Sequence, residues 1–240
     1  MREARQIWLT PAFVLHHHAY RDTSRIVEAF TAEHGRLSLF ARGVAGAKSK
    51  LGAVLRPFQR LLLSWSGRTE ACRLVGAELD GPPAALPPAR LMSGFYLNEL
   101  LLKLTVRGDP NPAIFALYAE AVYALGSGGD EEASLRRFEK RLLEELGYGL
   151  QLTNTGAGQP IEAGGYYRFR PQGGPEACVA EAPGAVYGSS LADLDAEVFA
   201  DARSLRDAKR VLRAAIDACL DGRQLNSRQI MSDLRKRERA

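Results

Sequence analysis

Residues 81–88 read Gly-Pro-Pro-Ala-Ala-Leu-Pro-Pro, and this stretch constrains the fold more than any other. Proline has no backbone N–H for a sheet ladder and clashes inside a helix, so the segment belongs to neither and reads as a linker. The hydrophobic period differs on its two sides. Before it lie short runs rich in branched and aromatic residues: Phe13 to Leu15, Arg25 to Val27, Leu37 to Phe40, Phe58 to Trp65 and Thr69 to Glu78. Turn signals at His34-Gly35, Gly43 to Gly46 and Ser66-Gly67-Arg68 separate them. Five short strands predict a small antiparallel barrel or sandwich over residues 1–80. Lys48 to Arg56 breaks the pattern and reads as a basic loop or one or two helical turns.

After the prolines the period becomes helical. Residues 90–106 are apolar nearly all round, as expected of a helix central to a core. Asn111-Pro112 is a cap followed by a first-turn proline. Ile114, Leu117, Tyr118, Ala121, Val122 and Leu125 then fall on one helical face. A third helix is expected from Glu131 to Leu146, stopped at Gly147. Residues 151–187 are rich in glycine and hold only two strand-like pieces, Tyr166 to Phe169 and Ala177 to Ala180, which read as a small hairpin or an irregular knob. Helices return around Leu191 to Val198 and after Ser204, which reads as an N-cap. A last short helix holds Ile230, Met231 and Leu234. The expected class is α+β multidomain: a β domain over 1–80, a linker at 81–88 and a helical domain over 89–240 with an irregular insertion at 151–187.

The formal charge of +4 hides three blocks: +5 over residues 1–80, −6 over 81–200 and +5 over 201–240. Basic ends around an acidic middle point to an anionic partner such as nucleic acid. A hydrophobic content of 46% excludes a disordered chain. The apolar runs are too short to span a membrane, and the N-terminus has no apolar signal region. Cys72, Cys178 and Cys219 are far apart, which fits a reducing cytoplasm and offers no metal-ligand spacing.

The window from Gly35 to Thr69 contains Arg36, Arg42, Lys48, Lys50, Arg56, Arg60 and Arg68 and no acid. Strand alternation puts Leu37, Leu39 and Ala41 on one face and Arg36, Ser38, Phe40 and Arg42 on the other. A ring flanked by guanidinium groups suits single-strand binding, because the ring stacks on a base while the cations neutralise phosphates. The bland alternative is a solvated basic face with Phe40 tucked against the helices. Arg206, Arg210 and Arg213 form a second stripe on one helix face, preceded by Arg203 and followed by Arg235, Lys236, Arg237 and Arg239.

Other motifs fail on chemistry. His16-His17-His18 alternates faces on a strand and has only Asp22 near in sequence, a weak metal set. Gly43 to Ser49 lacks the glycine immediately before lysine that a phosphate-binding NTPase loop needs. Ser64-Trp65-Ser66-Gly67 is not a nucleophile elbow, and all four histidines precede residue 35. No catalytic set is expected.

Several phrases carry a family resemblance: Val14 to Ser24, His34 to Gly43, Leu55-Arg56-Pro57-Phe58, Leu62 to Gly67, Ser93 to Leu100 and Phe138 to Tyr148. In this order they resemble the bacterial RecO family of DNA repair proteins over nearly the whole chain. The resemblance implies an N-terminal OB-fold barrel, then a helical domain. It implies a non-enzymatic mediator of the RecF recombination pathway that binds single- and double-stranded DNA and anneals complementary strands. It also implies help in loading RecA onto strands coated by single-strand-binding protein. The implied partners are RecR and the acidic C-terminal tail of single-strand-binding protein, at the nucleoid in the cytoplasm. Some members carry a four-cysteine zinc site in the insertion; here only Cys178 stands there, so no zinc or other cofactor is expected. A second reading is a protein-interaction adaptor that binds the acidic tail, with DNA contact incidental. The expected DNA contacts, drawn from local charge, are Arg36, Phe40, Arg42, Lys48, Lys50, Arg56, Arg206, Arg210 and Arg213.

Overall fold

The computed structural model describes residues 6–46, 48–67, 72–199 and 201–237, without the side chains of Arg235 and Arg237. Arg68 and Arg239, and residues 69–71 of the fifth expected strand, lie outside the described residues. The chain forms two compact units, Met1–Ser127 with Leu225–Ala240, and Gly128–Gln224.

In the first unit, β1 (Gln6–Tyr20), β2 (Ser24–Thr31), β3 (Gly35–Ala41), β4 (Arg60–Ser66) and β5 (Cys72–Leu79) close into a barrel of order β1-β2-β3-β5-β4. Neighbours are antiparallel except β3 and β5, which run parallel through Leu39 opposite Cys72 and Phe40 opposite Arg73. A short helix, α1 (Lys50–Val54), joins β3 to β4, with Ser49 as its cap. This is the OB-fold architecture. The strict buried–intermediate alternation along β3 confirms that Leu37, Leu39 and Ala41 point inward. They join Val14, Val27, Ala29, Leu61, Leu63 and Trp65 in the barrel core. β1 is 15 residues long, well beyond the Phe13 to Leu15 run. Its extra length comes from pairing with β4 at one end and β2 at the other, partners that local sequence does not reveal.

The register of β1 on β2 shifts between Val14 and His16, leaving Leu15 as an extra residue. Such a bulge frees a carbonyl from the ladder. The Leu15 carbonyl accepts a 2.7 Å hydrogen bond from Asn98 Nδ2, and Asn98 Oδ1 accepts one of 2.5 Å from the Tyr118 hydroxyl. Asn98 belongs to α2 (Leu91–Leu104) and Tyr118 to α3 (Pro112–Gly126). Burial pushes the Tyr118 phenol far above its ordinary range, so it stays a donor. Phe13 and Phe30, on the outer face of β1 and β2, meet Phe115 at 5.5 and 5.8 Å, and Phe13 meets Tyr118 at 5.0 Å. The expected cap of α3 is present, with Asn111 Oδ1 accepting from the Ile114 N–H at 2.9 Å.

The proline-rich segment lies within this unit. Gln59 accepts from the Ala84 N–H at 2.6 Å, and Leu86 is buried against Gly94 of α2. A side chain at Gly94 would collide with Leu86 and the Phe58 ring at 2.4–2.8 Å. The C-terminal helix α7 (Asn226–Arg237) is anchored by Glu99 of α2, whose carboxylate accepts from the N–H groups of Asn226 and Ser227, both at 2.8 Å. A carboxylate at a helix N-terminus satisfies orphan donors and the positive end of the dipole together.

The second unit contains α4 (Glu131–Glu145), a three-stranded sheet and two further helices, α5 (Gly188–Ala196) and α6 (Ala202–Leu220). The sheet has the order β7-β6-β8, from β6 (Tyr166–Arg170), β7 (Gly174–Ala177) and β8 (Ala185–Tyr187). The second strand precedes Ala177 to Ala180 rather than coinciding with it, because the turn after Arg170 is short and closes on Gly174 with φ +72°. Ser204 is not the cap of α6: Asp201 is, accepting from the Ser204 N–H at 2.8 Å, while Ser204 is buried.

Asn98→Ala would leave the Leu15 carbonyl and the Tyr118 hydroxyl buried without partners. Each orphan costs about 1–3 kcal/mol, so the denaturant midpoint should fall clearly, and less in Tyr118→Phe. An unchanged midpoint for Asn98→Ala would show that this junction does not hold the helices.

Candidate nucleic-acid interface

The outer surface of β1, β2 and β3 divides into rows set by the pairing register. The first row, Phe13–Phe30–Arg36, is the one α3 covers. The second is His16–Glu28–Ser38. The third, extended by the parallel strand, is His18–Ile26–Phe40–Arg73. Tyr20 follows His18 on the same face, and its ring meets Phe40 edge-on at 5.4 Å. The Arg21 guanidinium lies 5.4 Å from the Tyr20 ring centre. The ring that meets Phe40 is thus Tyr20 of the barrel itself.

This end of the barrel is bare and basic. His18, Tyr20, Arg21, Arg42 and Arg73 are exposed, and Phe40 and Ile26 are half-buried. The loop after β3 is tied to the β1–β2 turn by the Ala45 N–H donating to the Thr23 carbonyl at 3.0 Å. Arg42 lies at one end of that loop. Lys48 and Lys50 follow, both exposed, around the Ser49 cap of α1. Gly52 fits under this loop because a side chain there would strike the Val44 carbonyl at 2.1 Å. Arg56 is exposed beyond α1, next to Pro57, which bridges to Val14 of β1. The strand 2–3 face and the β1–β2 turn are where OB-folds bind oligonucleotides.

Arg36 has a different environment. Its side chain is only 11% exposed, 3.5 Å from Glu28 Oε2, and it donates to the Thr105 carbonyl at 2.9 Å. Glu28, buried, also accepts from the Ser38 hydroxyl and from Arg107 at 2.6 Å. The Gly108 N–H donates to the Arg36 carbonyl at 2.9 Å, so the α2–α3 connection runs along the start of β3. Gly35, at φ +61°, is required there, because any side chain would meet the Asp109 carbonyl at 2.1 Å. Burial loosens the proton on Arg36, while the Glu28 carboxylate holds it and Arg107 opposes. The guanidinium stays charged, and its charge is matched inside the fold rather than offered to solvent.

The second predicted stripe is also divided. Arg210 donates to the Ala185 carbonyl at 2.7 Å and lies 3.2 Å from Asp207. Arg213 lies 3.8 Å from Asp217, with both side chains exposed. Arg206 is exposed on the same helix face. Among the described residues, no three His, Cys, Asp or Glu side chains gather as a metal-binding group.

Sequence reasoning placed Phe40 and Arg42 on the outer face but missed Tyr20, Arg21 and Arg73. Tyr20 was legible in part, since it continues the His16, His18 alternation. Arg73 was not, because only the parallel pairing of strands more than 30 positions apart sets it beside Phe40.

His17 points to the opposite side, in the row of Val27 and Leu39. Burial lowers its pKa, helped by Arg25 and by its neighbours His16 and His18. The folded state therefore favours the neutral ring. This contribution is present above the unfolded value of about 6.5 and is lost as pH falls below it. A pH series of unfolding midpoints should show this loss, and His17→Gln should flatten it.

The Glu28 network gives a sharper test of the cations. Arg36→Ala breaks a buried pair and should cost about 3–5 kcal/mol. Arg42→Ala, at an exposed position, should stay within about 0.5 kcal/mol. Equal midpoints in denaturant would return Arg36 to the list of surface cations.

The comparisons with known proteins agree with this architecture. The model of the recombination protein O N terminal matches residues 1–80, and that of the recombination protein O C terminal matches residues 87–229. A DNA repair protein RecO from Azoarcus is 42% identical over 231 residues, 93% of this chain and 94% of the relative. Its namesake from Nitrosococcus oceani is 42% identical over 96% of this chain and 95% of the relative. The one from Aromatoleum aromaticum is 40% identical over 98% and 100%.

Proposed function

The chain belongs to the recombination protein O family, with a role in DNA repair and recombination, and from that premise we propose that its barrel binds single-stranded DNA across the outer face of β2 and β3. The observation that carries this reading is the Tyr20–Phe40 ring pair with Arg21, Arg42 and Arg73 around it. The rings offer stacking surface to bases of any sequence, and the guanidinium groups take the phosphates. Lys48 and Lys50 extend the cationic path along the loop after β3. Arg56 remains a candidate contact at its far end, and Arg36 serves the fold.

Binding of this kind reads no bases and needs no nucleotide hydrolysis. Cations that neutralise phosphates on two strands lower the repulsion between them, which is the physical basis of annealing by a protein without an active site. Duplex DNA would bind through the same cations, with less help from the rings because its bases are already stacked. Family membership supports the further proposals that the protein anneals complementary strands and assists RecA loading together with RecR. It likewise supports the acidic C-terminal tail of single-strand-binding protein as a partner. No helix among the described residues is long and apolar enough to cross a membrane.

The two kinds of contact separate in a salt titration of oligothymidine binding by the full chain. Tyr20→Ala and Phe40→Ala should each lose roughly 1–3 kcal/mol of affinity, with the salt slope unchanged. Arg42→Ala and Arg73→Ala should each flatten the slope by about 0.7. Wild-type affinity in the Tyr20→Ala, Phe40→Ala double variant, with an unaltered unfolding midpoint, would overturn the barrel site.

A further inference from the structure

The three-stranded sheet of the second unit has two unlike faces. Tyr167, Phe169, Pro175 and Val186 point to the inner one, where Tyr167 and Val186 are buried. The other face carries Tyr166 opposite Tyr187, and Arg168 opposite Ala185 and Glu176. The two tyrosine rings meet at 5.2 Å in a near T arrangement, and Tyr166 is 38% exposed. The Arg203 guanidinium lies 5.3 Å from the Tyr187 ring centre.

Helix α6 holds this arrangement. β8 is an edge strand, and its outward groups are taken by α6 side chains. The Tyr187 N–H donates to Asp207 at 3.1 Å, and the Ala185 carbonyl accepts from Arg210 at 2.7 Å. Covering the edge blocks strand addition there and fixes the helix beside the ring pair. Arg203, in the first turn of α6, is thereby carried to the tyrosine face, and Arg206 is exposed three residues further along the helix.

Two of the nearby carboxylates are engaged elsewhere: Glu176 lies 2.6 Å from Arg170, and Asp207 is bonded to the Tyr187 N–H and Arg210. Asp201 caps α6, and the Ser204 N–H it accepts, together with the Arg203 N–H and the charges of Arg203 and Arg206, lowers its pKa, so these two cations are partly balanced but not paired. Among the described residues Arg168, Arg203 and Arg206 form no ion pair, and Arg168 Nε is buried without a hydrogen-bond partner. We propose that this sheet face, with Tyr166, Tyr187, Arg168, Arg203 and Arg206, is a second binding site for single-stranded nucleic acid, separate from the barrel site. An acidic peptide would use the cations and leave the paired rings idle. A single strand uses both, because it repeats a flat base and an anionic phosphate at every step. The site goes beyond the barrel reading and does not depend on it.

The experiment is photo-crosslinking of the full chain to an iodouracil-substituted oligonucleotide, with the adducts mapped by peptide. Adducts on Tyr166 or Tyr187 are expected. The double variant Arg168→Gln, Arg203→Gln should lower their yield by roughly tenfold, without a change in unfolding midpoint. Adducts confined to Tyr20 and Phe40 would overturn the second site and leave the barrel site standing. Adducts confined to Tyr166 and Tyr187 would do the reverse. A yield that ignores both arginine substitutions would overturn the proposal. So would protection of these tyrosines by polyglutamate but not by oligothymidine, which would mark a peptide surface instead.

Discussion

The bulge at Leu15 decides much of the first unit. An ordinary ladder would have used the Leu15 carbonyl within the sheet. The extra residue turns it toward Asn98, which in turn receives the Tyr118 hydroxyl. One buried polar chain thus joins β1, α2 and α3. In a low-dielectric interior a satisfied chain of this kind is directional, while the aromatic packing around Phe13, Phe30 and Phe115 is not. The apolar contacts supply most of the burial, and the polar chain selects one placement of the helices among many that would bury similar area.

That placement leaves the barrel's outer surface half covered. The Phe13–Phe30 row is under α3, and the Phe40 row is bare. Glu28 and Arg36 stand at the border, where they hold the α2–α3 connection against β3. A buried carboxylate beside the proposed DNA face would repel phosphates if left alone. Two guanidinium groups around Glu28 remove that repulsion locally, so the bare rows can accept an anion. The same logic governs the second unit, where α6 takes the polar edge of β8 and leaves the tyrosine face open.

Sequence reasoning reached the barrel through short branched runs and turn glycines, and the helices through their period and caps. Asn111-Pro112 shows why that works: a cap and a fixed φ are local chemistry. It failed where a local signal had a better competitor. Ser204 is a good cap residue, but Asp201 lies three positions earlier and captures its N–H. The second strand of the small sheet was misplaced because its glycine turn is defined by φ and not by hydrophobicity. Among the site residues, exposure separated Arg42, Lys48, Lys50 and Arg56 from Arg36, although all five look alike in an acid-free window.

The sequence by itself determined most element types (though not the short strand β8, nor the choice of helix over loop at α1), the inward set of β3, the basic character of the chain's two ends, and the family. Each of these follows from periodicity, charge or ordered motifs, which are properties of neighbours along the chain. Only the tertiary structure decided which cations face solvent and which rings stand together. Arg73 reaches Phe40 through a parallel strand pair, and Tyr20 reaches it across three strands. Arg203 reaches Tyr187 through a helix that covers a sheet edge. Burial and cross-strand register depend on residues distant in sequence, so no local pattern encodes them.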